Sequence, residues 1–272
     1  MAVEQGSNIT QIPTGILKLR YLTRFAISLP FRRTLTPESQ NGLHRLNEFA
    51  AEGYGSLVFL NHFSRGDFMR VLGSVLGSPV LIEREAVIPI AIHQNRAWFY
   101  RFAGFNRVTL CPIVTEDTKK FIRDHPEKGT RYEEAAERKN TSKLMQEYLK
   151  KGLEVLKTGG VVLMTPQGAR RPYLDNISNA GGLFLERADE EEIKNIAVTF
   201  VGVGIPREVD YGRKGIDGYQ LFTPFGLNIG ETLTATEIQE RANGRASNTS
   251  KAIDMVIIDG LRAVVPSFYL PR

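Results

Sequence analysis

The sequence predicts an α/β fold, with a mixed, mainly parallel sheet flanked by helices. Two continuous apolar runs, Ser56–Leu60 and Ile196–Val203, read as strands covered on both faces, as in a parallel sheet. Between them, Ser142–Lys157 carries Leu144, Tyr148, Leu149, Leu153 and Leu156 at helical spacing. It leads through Gly159-Gly160 into the short apolar run Val161–Met164. Strand and helix thus alternate along the chain, which is the pattern of a layered α/β domain.

The remaining elements follow in order. Residues 1–13 are polar and read as loose. Residues 14–31 place Leu19, Leu22, Ala26 and Leu29 at helical spacing, interrupted by Lys18, Arg20 and Arg24. Two readings fit: an amphipathic helix lying in a membrane interface, or a terminal helix packed on the core. Residues 37–52 predict a helix with Leu43, Leu46 and Phe49 on one side, ended by Gly53 and Gly55. After strand 56–60 a helix is expected to run to about Gly77-Ser78-Pro79. Val80–Glu83 reads as a short strand, and Ala86–Phe102 as a helix broken or delayed by Pro89. Val108–Val114 reads as a strand. Residues 115–140, dense in charge and holding Pro126 and Gly129, read as an irregular exposed excursion. Helices are expected at 234–243 and 249–263.

Composition narrows the function classes. The chain has 272 residues, enough for one large domain with a terminal extension. Its net charge is only +5, so no nucleic-acid partner is expected. The distribution is more telling: Lys18, Arg20, Arg24, Arg32 and Arg33 lie between Gln5 and Pro37 with no acid among them. Such a segment suits an anionic lipid surface. A single cysteine, Cys111, rules out an internal disulfide and fits a reducing compartment. The four histidines lack metal-site spacing, so no metal is expected. No apolar run reaches about 18 residues, so no membrane-spanning helix is expected, and no secretory leader is recognised.

Two segments carry chemistry. The first is Asn61-His62-Phe63-Ser64-Arg65-Gly66-Asp67. On one helix, five positions would turn His62 and Asp67 about 140° apart. They can meet if His62 sits on the loop leaving strand 56–60 and Asp67 lies in the first turn of the next helix. The carboxylate then fixes the imidazole tautomer and frees the other ring nitrogen to take a proton. The blander reading is a helix start with Ser64 as N-cap and Asp67 as the third helical residue. The second segment is Met164-Thr165-Pro166-Gln167-Gly168-Ala169-Arg170-Arg171-Pro172. A strand runs into a turn where Gly168 permits close backbone approach and Arg170 can fork onto a phosphate or carboxylate. A tight turn with solvated arginines reads equally well. No G-x-S-x-G elbow is present.

Together these segments resemble the glycerolipid acyltransferases that include the 1-acylglycerol-3-phosphate acyltransferases. That family carries N-H-x-x-x-x-D after one strand and F-P-E-G-T-R-S after a later one. Here the matching text is N-H-F-S-R-G-D at 61–67 and T-P-Q-G-A-R-R at 165–171. Flanking stretches at 81–85, 98–104, 179–182 and 226–265 extend the likeness over roughly residues 55–265. The resemblance implies residues 1–36 as a membrane-interface extension and 37–272 as an acyltransferase domain. It implies His62 as the base that deprotonates an acceptor hydroxyl, with Asp67 orienting it. It implies Asn61, Ser64, Arg65, Gln167, Gly168 and Arg170 at the substrate, with a lyso-phospholipid or related lipid or polyol as acceptor. The donor would be acyl-CoA or an acyl-carrier protein as co-substrate, with no cofactor, in phospholipid biosynthesis at the cytoplasmic face of a membrane.

The departures lie on the acceptor side. The family's Glu is Gln167 and its Thr is Ala169. The arginine that follows its second block has no counterpart after strand 108–114, since Arg107 precedes that strand. Two alternatives follow: a lipid-binding, membrane-associated module with a decayed site, and an acyl-thioester hydrolase in which His62 activates water.

Overall fold

The computed structural model describes residues 19, 22–23, 36–62, 67–75, 78–94, 97–168, 174, 177–178, 180–204 and 226–270. A six-stranded sheet organises them. Its strands are β1 (Gly55–Leu60), β2 (Ala86–Ala91), β3 (Val108–Ile113), β4 (Val161–Met164), β5 (Ile196–Gly204) and β6 (Gly226–Thr234). They run in the order β3-β2-β4-β1-β5-β6. All pairings are parallel except β5 with β6. The fold is therefore a mixed, mainly parallel α/β sheet. Every residue of β1, β4 and β5 is buried. Successive side chains point to opposite faces, so both faces of the central sheet are covered.

Helices supply the cover: α1 (Pro37–Ala51), α2 (Asp67–Ser74), α3 (Ala97–Phe105), α4 (Glu116–Asp124), the short α5 (Pro126–Gly129) and α6 (Glu133–Ala136), α7 (Arg138–Lys157), α8 (Ala180–Glu190), α9 (Ala235–Ala242) and α10 (Thr249–Val264). α1 starts on a Thr36 side chain that accepts from the Ser39 N–H, followed by Pro37 at the first helical position. It buries Leu46 fully and packs Leu43 and Phe49 against the core. Gly53 beyond its end takes φ +90°. α10 packs on α8, where Gly182 is required: a Cβ there would stand 2.0 Å from the Ser250 carbonyl oxygen.

Three expectations are corrected. Residues 86–102 are not one helix. Ala86–Ala91 form β2, a 3-10 turn spans Ile92–Gln94, and α3 begins at Ala97. Pro89 pairs with Cys111 of β3 but lies beyond Val87, the last residue paired with β4, where a missing N–H is tolerated. Val80–Glu83 form turns rather than a strand. Ser78 accepts from Leu81 N–H through its hydroxyl and from Ile82 N–H through its carbonyl. Residues 115–140 are mostly exposed but ordered, into α4–α6 and the start of α7. Thr115 and Thr118 close a reciprocal capping box that starts α4.

Of the amphipathic segment 14–31, only Leu19, Leu22 and Thr23 are described. They are helical, and Leu19 and Leu22 are 53% and 58% exposed. Among the described residues no helix is long and apolar enough to cross a membrane.

Candidate functional site

The carboxyl ends of β1 and β4 meet at one point of the sheet edge, with β5 on the far side of β1. In open α/β sheets this edge is where ligands bind. Asn61 follows β1 and is fully buried. Its side-chain amide donates to the Val203 carbonyl oxygen at 2.7 Å and accepts from Val203 N–H at 2.6 Å. Asn61 thereby carries the β1–β5 ladder one step further with a side chain in place of backbone. It was expected at the substrate. It has no exposed surface, and both ends of its amide are occupied by Val203.

His62 comes next. Its backbone N–H donates to the Gln167 side-chain oxygen at 2.9 Å. Its Nδ1 lies 3.1 Å from Asp67 Oδ2. Asp67 opens α2 and its side chain is fully buried, whereas the His62 side chain keeps 19% exposure. A carboxylate at Nδ1 selects the tautomer with its proton on that nitrogen and directs Nε2 outward. Phe68 tilts against the imidazole with ring centroids 5.7 Å apart, giving the ring an apolar neighbour. The geometry expected from spacing, with His62 on the loop and Asp67 in the first helical turn, is the one observed.

Gln167 is 5% exposed, and its Nε2 lies 3.5 Å from the Tyr269 hydroxyl. It too was expected to touch substrate. In the structure it ties β4's exit to His62 and leans on the chain's last described turn, Ser267–Tyr269. Gly168 is half-buried at φ +68°, a conformation that disfavours side chains, and its N–H closes a turn onto Thr165 O at 3.0 Å. Ser64, Arg65 and Arg170 lie outside the described residues, as does Ala169.

Arg107 is placed away from the site. It precedes β3 at the opposite edge of the sheet and donates to the Glu83 carbonyl oxygen at 2.6 Å. Cys111 offers no thiolate, because burial pushes its thiol up to about 11, opposed by Lys151 and reinforced by Glu147. Among the described residues no group of three or more His, Cys, Asp or Glu is placed to hold a metal ion.

Tyr269 is the contributor that sequence reasoning missed. It is 1% exposed, accepts from Leu174 N–H through its carbonyl, and backs Gln167 with its hydroxyl. Its only sequence signal is an aromatic near the end of the chain.

No family model matches the chain, and no curated protein matches it significantly.

Proposed function

We propose that the protein is an O-acyltransferase, moving a fatty acyl group from an acyl thioester to a hydroxyl of a lyso-phospholipid or related acceptor at a membrane surface. The observation that carries this reading is the His62 Nδ1–Asp67 Oδ2 contact at 3.1 Å, with the carboxylate buried and the imidazole partly open. That arrangement is a general base with its orienting partner. Nε2 takes the proton of the acceptor hydroxyl as its oxygen attacks the thioester carbonyl. The tetrahedral adduct collapses, the C–S bond breaks, and the proton passes from His62 to the departing thiolate. The products are an ester and a free thiol, and no acyl-enzyme forms.

The position of Gln167 also supports the reading. The resembled family has Glu there, and the exchange counted as a departure. The atom in use here is a side-chain oxygen that accepts the His62 N–H, which either residue supplies. The acid-free basic stretch from Lys18 to Arg33 supports association with anionic lipid.

The test is incubation of the pure protein with a labelled acyl thioester and total lipid, followed by product identification by mass spectrometry. An esterified lipid formed by the wild type and not by His62→Ala is expected. Free acid released without acceptor identifies a thioester hydrolase instead, and lipid binding without turnover a binding module.

A further inference from the structure

The segment that follows α10 lies along the sheet edge where the site stands. Val264 rests on Gly202 of β5, where a Cβ would stand 2.1 Å from the Val264 carbonyl oxygen. The Pro266 ring rests on Gly204, where a Cβ would stand 2.9 Å from its Cγ. Asn228 of β6 donates to the same Val264 carbonyl oxygen at 2.9 Å. A little further on, in the turn Ser267–Tyr269, the Tyr269 side chain reaches Gln167 at the exit of β4. β1 lies between β5 and β4. The segment therefore passes the carboxyl end of β1, across two strand spacings or roughly 10 Å.

Tyr269 holds the loop that leaves β4 at two points. Its hydroxyl oxygen accepts from Gln167 Nε2 at 3.5 Å. Its carbonyl oxygen accepts at 2.9 Å from the N–H of Leu174, which is fully buried further along that loop. Gln167 in turn offers its side-chain oxygen to the His62 N–H at 2.9 Å. A glutamine amide has nearly the same shape either way round, yet its oxygen alone can accept that N–H. A second partner that accepts from Nε2 keeps the amide facing the right way. Tyr269 and Gln167 are both buried, so the bond between them lies away from bulk water.

We infer that Tyr269 is a positioning residue for His62, acting through the Gln167 amide, and that the segment after α10 is a wall of the site rather than a tail laid on the core. The catalytic consequence rests on the acyl-transfer reading; the positioning itself does not. A tyrosine that merely fills space beside the sheet is the plainer role, and the two roles differ in what they require. Filling space takes the ring and leaves the hydroxyl idle. Positioning takes the hydroxyl, and it takes Gln167 to relay the effect over the loop to the His62 backbone. The effect of the hydroxyl on His62 therefore depends on the residue at position 167, whereas the effect of a space-filling ring does not.

The experiment uses the full chain labelled with nitrogen-15 at histidine. The chain has four histidines, so the backbone amide spectrum holds four lines, and His62→Ala assigns the one from His62. Tyr269→Phe removes the hydroxyl and keeps the ring. It is expected to move the His62 line by more than its own width while leaving those of the exposed His44 and His125 in place. Acyl transfer from a CoA thioester to a lyso-lipid, measured alongside, is expected to fall about three- to tenfold in kcat with KM unchanged, the size of one hydrogen bond. Adding Tyr269→Phe to Gln167→Leu is expected to move neither quantity further. An unmoved His62 line, an unchanged kcat in an active protein, or full additivity with Gln167→Leu overturns the proposal. A wild type that transfers no acyl group, with the His62 line still moved by Tyr269→Phe, sinks the acyl-transfer reading and leaves the positioning standing.

Discussion

Asn61 and Val203 are joined twice, by a 2.7 Å bond from the side-chain amide to the Val203 carbonyl oxygen and a 2.6 Å bond from the Val203 N–H to the side-chain oxygen. The residue next to His62 is thus welded to β5. Asn61→Ala leaves two buried backbone groups without partners, at about 1–3 kcal/mol each. A loss of about 2–5 kcal/mol in a urea melt is expected. Wild-type stability would show that this weld contributes little.

Asp67→Asn keeps the shape of the side chain while removing its charge. General-base assistance contributes about 10²–10⁴-fold to a rate. On the proposed mechanism the variant is expected to fold normally and to lose at least about 100-fold in kcat with little change in KM, since Asp67 is fully buried. Steady-state kinetics with a lyso-lipid acceptor provides the check, and undiminished kcat removes Asp67 from the mechanism.

Gln167→Leu tests the strap between β4 and His62. It leaves the His62 N–H without its side-chain acceptor, at a cost of about 1–3 kcal/mol. Gln167→Glu retains an accepting oxygen and is expected to keep most of the activity that Gln167→Leu loses. Equal losses in both variants would show that the oxygen is not what matters.

Asp254 gives the protein a pH dependence away from the site. It is 6% exposed, and its Oδ1 accepts the Gly182 N–H at 2.8 Å in the first turn of α8. Burial pushes its carboxyl up to about 6 from the ordinary 3.8, partly opposed by that hydrogen bond. The folded value exceeds the unfolded one. Its contribution to stability is therefore complete below 3.8 and is lost as pH rises through about 6. Denaturant midpoints across this interval are expected to fall with rising pH, and Asp254→Asn to remove that fall. An unchanged slope in the variant would assign it to other groups.

Long, regular patterns were legible in the sequence. β1, β4 and β5 stood out as apolar runs, α1 and α7 as amphipathic periods ended by glycines, and α9 and α10 as helix candidates at 234–243 and 249–263. β2 was hidden because Pro89 suggests a broken helix until the neighbouring strands show which of its bonds are needed. α8 was hidden because Gly181 and Gly182 weaken a local helix, and their purpose is the close approach to α10. In the site, spacing left His62 and Asp67 open between a loop-to-helix pair and a helix cap, and the contact at 3.1 Å is the former. The roles of Asn61, Gln167 and Tyr269 did not follow from spacing, because each depends on a partner over 100 residues away. A polar residue beside a base reads as a substrate contact until the backbone group it satisfies is known.

The two long-range bonds beside His62 also set a timetable for the chain's birth. Gln167 leaves the ribosome 105 residues after His62, and Val203 comes 142 residues after Asn61. At about 5–20 residues per second, the imidazole waits on the order of ten seconds before both clasps exist. A nascent or truncated polypeptide ending before β5 lacks the Asn61 clasp on Val203, so the loop that carries His62 is tied down only after most of the sheet has been synthesised.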